Sequence, residues 1–143
     1  MNWRLAQARA RNRKPSVMTI AAAMPIRTAV DRVVLVLPVP PSKNRLHVSD
    51  GRGGRIRSPE YRAWIEDAGW RLVSQRPGRV AGPYALLIEL PVFTPGDAGN
   101  REVALSDLLQ LHNVIDNDSQ AQDIRVTRTD GSEFRVTITG LSP

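Results

Sequence analysis

Apolar residues in the first half of the chain form one strand-like run and one helix-like face. The β-branched run over 33–37 ends at a cluster of prolines, which predicts a buried strand. Ser58 followed by Pro59 is typical of a helix start, because serine caps the first turn and proline suits the first helical position. Apolar residues then recur every three or four positions as far as Leu72, so we predict an amphipathic helix over 59–75.

The second half continues with two more kinds of pattern. A mostly apolar stretch predicts a strand over 84–93, and leucines at helical spacing predict a helix over 100–113. Residues 124–129 and 133–139 alternate between apolar and polar, with an Asp-Gly pair between them, which predicts a β-hairpin. The element order β-α-β-α-β-β predicts an α+β fold in which two helices pack on a small mixed sheet.

Composition limits the possible functions. With 143 residues, 41% of them apolar, the chain has the size of one domain, and its longest apolar stretches are too short to span a bilayer. It has no cysteine and two histidines, so a bound metal ion would depend mainly on carboxylates, which favours Mg²⁺ or Mn²⁺. The lack of cysteine and of targeting signals fits a cytoplasmic protein of bacterial or phage origin.

The net charge of +6 is unevenly distributed. Residues 1–30 contain six basic residues and no acid, whereas 31–143 are neutral overall. We interpret 1–30 as a basic, disordered N-terminal extension, with a transit peptide or a nucleic-acid-binding arm as alternatives. Within the body, 31–90 hold ten bases and six acids, and 91–143 hold four bases and eight acids, which predicts a basic surface near an acidic cluster.

The basic surface is predicted in the glycine-bearing loop before the first helix. Its cations could neutralise DNA phosphates, or the loop could simply be solvated. Asn44 could contact a DNA backbone or close a turn. The cations are Lys43, Arg45, Arg52, Arg55 and Arg57, beside Arg62.

Five aspartates fall within 27 residues of the acidic half: Asp97, Asp107, Asp116, Asp118 and Asp123. Carboxylates at the ends of strands and helices suit a hard metal ion that assists phosphodiester hydrolysis. Aspartates in loops are also common as solvent-facing caps and turn residues. Both interpretations remain open from the spacing alone.

Four segments, in their order and spacing, resemble the RusA family of Holliday junction resolvases. These are PPSKNR at 40–45, SPEYRAW at 58–64, DAGNREVALSDLL at 97–109 and VIDNDSQ at 114–120. The resemblance covers about 32–140, so residues 31–143 are expected to form one RusA-like nuclease domain. It implies Mg²⁺-dependent cleavage of four-way DNA junctions by a homodimer, in DNA recombination and repair.

The resemblance also implies site residues. Asp97 and Asp118 match family aspartates and are the expected catalytic and metal-binding residues, and Asn100 matches an asparagine that we assign to DNA binding. It favours the DNA-binding interpretation of the basic loop, for Lys43, Asn44, Arg45, Arg52, Arg55, Arg57 and Arg62.

The chain departs from the family pattern at three positions. Gly99 replaces an aspartate, Val103 replaces the lysine that acts on the phosphate, and Asn117 replaces the first aspartate of a pair. Asp116, which we include among the metal ligands, or Glu102 could supply a substitute oxygen. The alternatives are therefore a relative that binds branched DNA without cleaving it and, more remotely, a basic-tailed scaffold protein unrelated to DNA.

Overall fold

A computed structural model describes residues 27–96 and 98–141, so most of the predicted extension over 1–30 lies outside the described residues. Short 3₁₀ turns occur at Lys43–Arg45, Ala98–Arg101 and Asp118–Gln120. The helices and strands are β1 (Arg32–Leu37), β2 (His47–Ser49), β3 (Arg55–Arg57), α1 (Pro59–Ser74), β4 (Tyr84–Pro91), α2 (Glu102–Leu111), β5 (Ala121–Thr129) and β6 (Phe134–Gly140).

The main sheet has four strands in the order β1-β6-β4-β5. β6 is antiparallel to both of its neighbours, whereas β4 and β5 are parallel, so the sheet is mixed. β2 and β3 form a separate antiparallel ribbon. The predicted α+β class, with two helices and a mixed sheet, is confirmed.

The predicted hairpin of the last two strands is wrong, because β4 lies between β5 and β6. The four-residue connection after β5 crosses the end of β4 instead of folding β6 back onto β5. Alternation and an Asp-Gly turn indicate two strands and a sharp reversal, but they do not indicate which strand lies alongside. The nearly continuous apolar sequence YALLIELP of β4 is typical of a strand in the middle of a sheet.

One hydrophobic core joins the sheet to both helices. Leu35, Ile88 and Ile138 alternate with more exposed neighbours along their strands and are fully buried. They belong to the same cluster as Leu72 of α1 and Leu105 of α2. Fully burying one such side chain contributes about 1.5–3 kcal/mol, so this shared core accounts for much of the stability of the fold.

The predicted helix boundaries agree closely with the structure. The Ser58 hydroxyl accepts a hydrogen bond from the Tyr61 N–H at 3.0 Å, and Pro59 occupies the first turn of α1. α2 covers 102–111 of the predicted 100–113, because the 3₁₀ turn at Ala98–Arg101 precedes it. Asn113 adopts the left-handed conformation (φ 59°) beyond the end of α2, as its residue type predicted. No helix in the described part of the chain is long and apolar enough for a membrane span.

His112, at the C-terminal cap of α2, is a buried titratable group in the core. Its side chain is 2% exposed, and neither ring nitrogen has a hydrogen-bond partner among the described residues. Burial, and then the nearby charge of Arg27, lower the pKa of His112 from 6.5 to about 4. The imidazole is therefore neutral at pH 7 and does not compensate the helix dipole as a cation would.

We predict that acid destabilises the fold through His112. The unfolded chain binds a proton near pH 6.5 and the folded chain only near pH 4, so the free energy of unfolding falls as pH decreases through that window. The total loss is about 3 kcal/mol. Urea unfolding of the wild type and of His112→Leu between pH 7 and pH 4 measures it. The leucine variant should lose most of the slope, and an unchanged slope would contradict the assignment.

Candidate functional site

The glycine-rich segment after β1 forms the β2-β3 ribbon, where the sequence had indicated a flexible loop. An Oδ1 atom of Asp50 accepts hydrogen bonds from the N–H groups of Arg52 at 2.7 Å and Gly54 at 3.0 Å. Gly51 and Gly53 adopt left-handed conformations, with φ 78° and φ 84°. Each strand has three residues, all exposed, so no alternation of burial could have revealed the ribbon from the sequence.

The residues predicted to bind DNA phosphates are exposed in the structure. None of their cationic groups forms a salt bridge with a carboxylate within the described ranges. Their charges are therefore available to an anionic partner. They are Lys43, Asn44 and Arg45 on the first 3₁₀ turn, Arg52, Arg55 and Arg57 on the ribbon and its tip, and Arg62 on α1.

Ser58 fixes the basic turn to the start of α1. Its hydroxyl donates to the Arg45 carbonyl at 2.6 Å, and its N–H donates to the Leu46 carbonyl at 2.9 Å. Because the same hydroxyl also caps α1, the turn cannot shift without disturbing the helix terminus. The positions of the cations on this turn are thus set by the helix.

Tyr61 links the ribbon to both helices. Its ring lies 5.7 Å from the Arg57 guanidinium carbon and makes an edge contact with His47 at 6.2 Å. Its hydroxyl donates to an Asp107 carboxylate oxygen at 3.2 Å, which connects α1 to α2. Burial, and then the Asp107 charge, raise the pKa of Tyr61 to about 12. Tyr61 and Trp64 are both buried, so their predicted role in core packing is confirmed.

The basic turn, the ribbon and the start of α2 meet at one cleft of about 610 Å³. Val103, which replaces the lysine of the family pattern, lines this cleft together with Lys43 and Arg55. Positive charge is therefore supplied here by the turn and the ribbon. The lining residues are Lys43, Asn44, Leu46, His47, Arg55 and Val103.

Two carboxylates lie near enough to Tyr84, at the start of β4, to affect its pKa. Asp118 is exposed in the third 3₁₀ turn, where its N–H donates to a Gln110 side-chain oxygen at 3.2 Å. Glu102 begins α2 and accepts a hydrogen bond from Ser106. Burial, followed by the charges of Asp118 and Glu102, raises the pKa of Tyr84 to about 12. The Tyr84 hydroxyl has no partner among the described residues.

Asp116 has a structural partner in this fold. One carboxylate oxygen forms an ion pair with Arg79, and the other accepts the Gly82 N–H at 2.9 Å. These contacts join the segment before β4 to the segment after α2. The structure therefore commits both oxygens of Asp116 to internal contacts, and its predicted metal-binding role stays a prediction.

Asp97 lies outside the described residues, but the loop that leads to it is held by two arginines. Arg128 of β5 donates to the carbonyls of Thr94 at 2.6 Å and Gly96 at 2.7 Å. Arg101 donates to the carbonyls of Pro95 at 2.8 Å and Pro40 at 2.7 Å. The backbone up to residue 96 is thus fixed against both β5 and the segment after β1.

The 3₁₀ turn at Ala98–Arg101 brings the predicted residue Asn100 close to the basic turn. It packs against Lys43–Arg45, against β5 and against the start of α2. Asn100 is half-buried there. Burial, and then the charge of Arg45, lower the pKa of Arg101, so these two cations lie near one another.

Within 27–96 and 98–141, no group of three or more His, Asp or Glu side chains could hold a metal ion. Asp118 and Glu102 are two carboxylates of the described ranges whose charges act on the same group, Tyr84. Asp97, the first aspartate of the predicted site, is outside these ranges. The described residues alone therefore do not form a metal site, and the predicted role of Asp97 and Asp118 in metal binding stays a prediction.

Sequence reasoning missed Arg101 and Arg128, the two arginines that hold the loop before Asp97. Arg128 follows Ile124 and Val126 at every second position of β5, and this alternation places it on the same face of the sheet as these two apolar residues. Arg128 could therefore have been found in the sequence as a cation at a position of the strand where the alternation predicts an apolar residue. Arg101 had no comparable signal, because its carbonyl partners are distant in sequence.

No protein-family model matches the chain, and no curated protein matches it. The resemblance to the RusA family therefore rests on the order and spacing of the four segments given above.

We predict that Arg128→Ala loosens the loop before Asp97. Its guanidinium bonds two carbonyls of this loop at under 2.8 Å, and charge-assisted bonds of this kind each contribute about 1.5–3 kcal/mol. Hydrogen–deuterium exchange of peptides covering 92–101 should become faster. Arg125→Ala is the matched control, since Arg125 is on the same strand and, within the described part of the chain, pairs with Asp123 and not with the loop. Equal exchange in the two variants would contradict the anchoring role.

Proposed function

We propose that the chain binds branched DNA and hydrolyses a phosphodiester bond in it, as a metal-dependent endodeoxyribonuclease that resolves four-way junctions. One observation carries the proposal: unpaired cations and the start of α2 share one cleft. Lys43 and Arg55 line the cleft together with Val103, and Val103 follows Glu102 directly in the chain. A phosphate in this cleft would be neutralised by Lys43 and Arg55 at the start of α2.

Each part of the site has a separate chemical role in this proposal. A hard divalent ion, Mg²⁺ or Mn²⁺, held by Asp97 and Asp118 with help from Glu102, would supply Lewis acidity to the reacting phosphate. Lys43 and Arg55 bind and orient the phosphate. Tyr84 remains protonated at neutral pH, because burial and the charges of Asp118 and Glu102 raise its pKa to about 12.

The proposal includes a homodimer and a cytoplasmic origin in a bacterium or phage. A four-way junction has approximate two-fold symmetry, so a protein with two-fold symmetry can place one site on each of two strands. The resemblance to the RusA family supports the homodimer, and the lack of cysteine fits the cytoplasmic origin.

A relative that binds junctions without cutting them is the second candidate, and Gly99 and Val103 favour it. Loss of one carboxylate weakens the hold of a small oxygen site on its ion. A valine in the cleft wall supplies no charge to the phosphate. Lys43 and Arg55 would then serve binding alone.

The first test is binding. The double substitution Lys43→Ala/Arg55→Ala should weaken junction affinity by tenfold or more, because two cations that neutralise phosphates are lost. The slope of log K against the logarithm of the salt concentration should become shallower by about 0.9 for each lost phosphate contact. Fluorescence anisotropy without divalent metal, at several salt concentrations and with duplex as competitor, measures both quantities. Arg71→Ala is the control, since Arg71 is exposed on α1 but paired with Asp67. An equal loss in the control would show non-specific attraction and contradict the assignment.

The second test is cleavage. In Mg²⁺ or Mn²⁺, Asp118→Asn should reduce paired incision of a synthetic junction by at least about 100-fold and leave affinity within about twofold. Asp123→Asn is the control, because Asp123 is an exposed aspartate of β5 whose ion-pair partner among residues 27–96 and 98–141 is Arg125.

The double variant Gly99→Asp/Val103→Lys separates the two candidates. If the natural chain binds junctions but does not cut them, and the double variant cuts, the non-cleaving candidate is correct. If both bind and neither cuts with either metal, the nuclease proposal is wrong.

A further inference from the structure

Phe93 is the most exposed large apolar side chain among the described residues. It is 87% exposed, and its neighbour Val92 is 44% exposed. Single exposed apolar residues are common on protein surfaces and need no explanation by themselves. The surroundings of Phe93 distinguish it from Val34 or Ile124, which are exposed on regular strands.

The turn that carries Phe93 is held on both sides. The Val92 N–H donates to the Thr129 carbonyl at 2.9 Å, and the Thr94 N–H donates to the Pro91 carbonyl at 3.0 Å. Arg128 then bonds the Thr94 carbonyl at 2.6 Å. The phenyl ring is therefore presented to solvent from a fixed backbone, and little conformational entropy is lost when a partner binds it.

Three cations lie along the same edge of the molecule. Arg128 and Arg101 both bond the loop that follows Phe93, and Arg45 lies near Arg101. Glu60 is the carboxylate whose charge acts on Arg101 there. Like charges held close together repel, so an anion between them is favoured. The exposed ring is thus adjacent to a surface that attracts negative charge.

A flat apolar ring beside guanidinium groups matches the chemistry of a nucleotide, in which a planar base adjoins a phosphate. We propose that Phe93 stacks on a nucleobase that is unpaired at the branch of the DNA, while Arg45, Arg101 and Arg128 face the adjoining phosphates. This inference rests on the proposed binding of branched DNA and adds how the branch is distinguished from duplex. In continuous duplex the bases are stacked on one another, so Phe93 has no free base face to contact.

The experiment compares junction and duplex binding by Phe93→Ala, Phe93→Leu and Phe93→Trp without divalent metal. The alanine and leucine variants should lose junction affinity by about 5- to 150-fold, the range for one base–aromatic stack, and keep duplex affinity within about twofold. The tryptophan variant should retain wild-type affinity. Val34→Ala, which removes an exposed apolar residue from a regular strand, is the matched control and should change neither affinity.

A covalent readout locates the contact. Junctions with 5-iodouracil at the branch are irradiated with the full-length protein, and the crosslinked peptide is identified by mass spectrometry. We expect the crosslink at Phe93, and we expect it to be lost when the modified base lies in a duplex arm.

The outcomes separate this inference from the proposed function. If the wild type shows no preference for junction over duplex, the proposed function fails. If it prefers junctions and Phe93→Ala does so equally, the stacking inference alone is wrong. If Phe93→Leu binds junctions as tightly as the wild type, stacking is also wrong. Stacking is likewise wrong if light scattering gives Phe93→Ala a different molar mass from the wild type, because the ring then belongs to a contact between protein chains.

Discussion

The position of β4 at the centre of the sheet determines where the other parts of the molecule lie. β4 pairs with β5 on one side and β6 on the other, and its inward side chains Tyr84, Leu86, Ile88 and Leu90 are all buried. Its first residue, Tyr84, lies near Asp118 and Glu102. Its last residues lead into the turn with Phe93 and the loop toward Asp97. The central strand therefore begins near Asp118 and Glu102 and ends at the turn that carries Phe93.

Local sequence signals were sufficient for the helices and insufficient for strand pairing. The Ser58-Pro59 start and Asn113 after α2 act through contacts with neighbouring residues, so they can be read from a short window. The arrangement of β5, β4 and β6 depends on contacts between residues that are 37 to 56 positions apart. A sequence window that identifies each strand contains no information on its neighbour.

The candidate site was predictable to the same extent. Exposure of the basic turn and of the ribbon followed from their polar sequence, with three glycines between the ribbon strands, and the structure agrees. The partner of Asp116 did not follow, because Arg79 is 37 positions earlier and meets it only through tertiary packing. The same holds for Arg101 and Pro40. The role of such residues depends on a carbonyl or carboxylate that is distant in the sequence. The neighbouring residues therefore carry no sign of the contact, and the sequence shows only that these side chains are charged.

The structure shows how the basic residues in the two halves of the body, 31–90 and 91–143, differ in their contacts. In the described part of 91–143, all four arginines are engaged: Arg125 and Arg135 pair with carboxylates, and Arg101 and Arg128 bond carbonyls of the loop before Asp97. In 31–90, by contrast, the cations of the turn and ribbon form no ion pair with a carboxylate in the described ranges, and Arg55 bonds the neutral carbonyl of His47 at 3.5 Å. Arg125 and Arg135 are neutralised by their carboxylates, whereas Arg101 and Arg128 bond neutral carbonyls, so they organise the loop and keep their positive charge. The structure therefore separates cations that are neutralised within the protein from cations that keep a free charge, which the sequence counts cannot do. On the proposed function, the second group contacts the DNA, from the turn and ribbon toward the Phe93 edge.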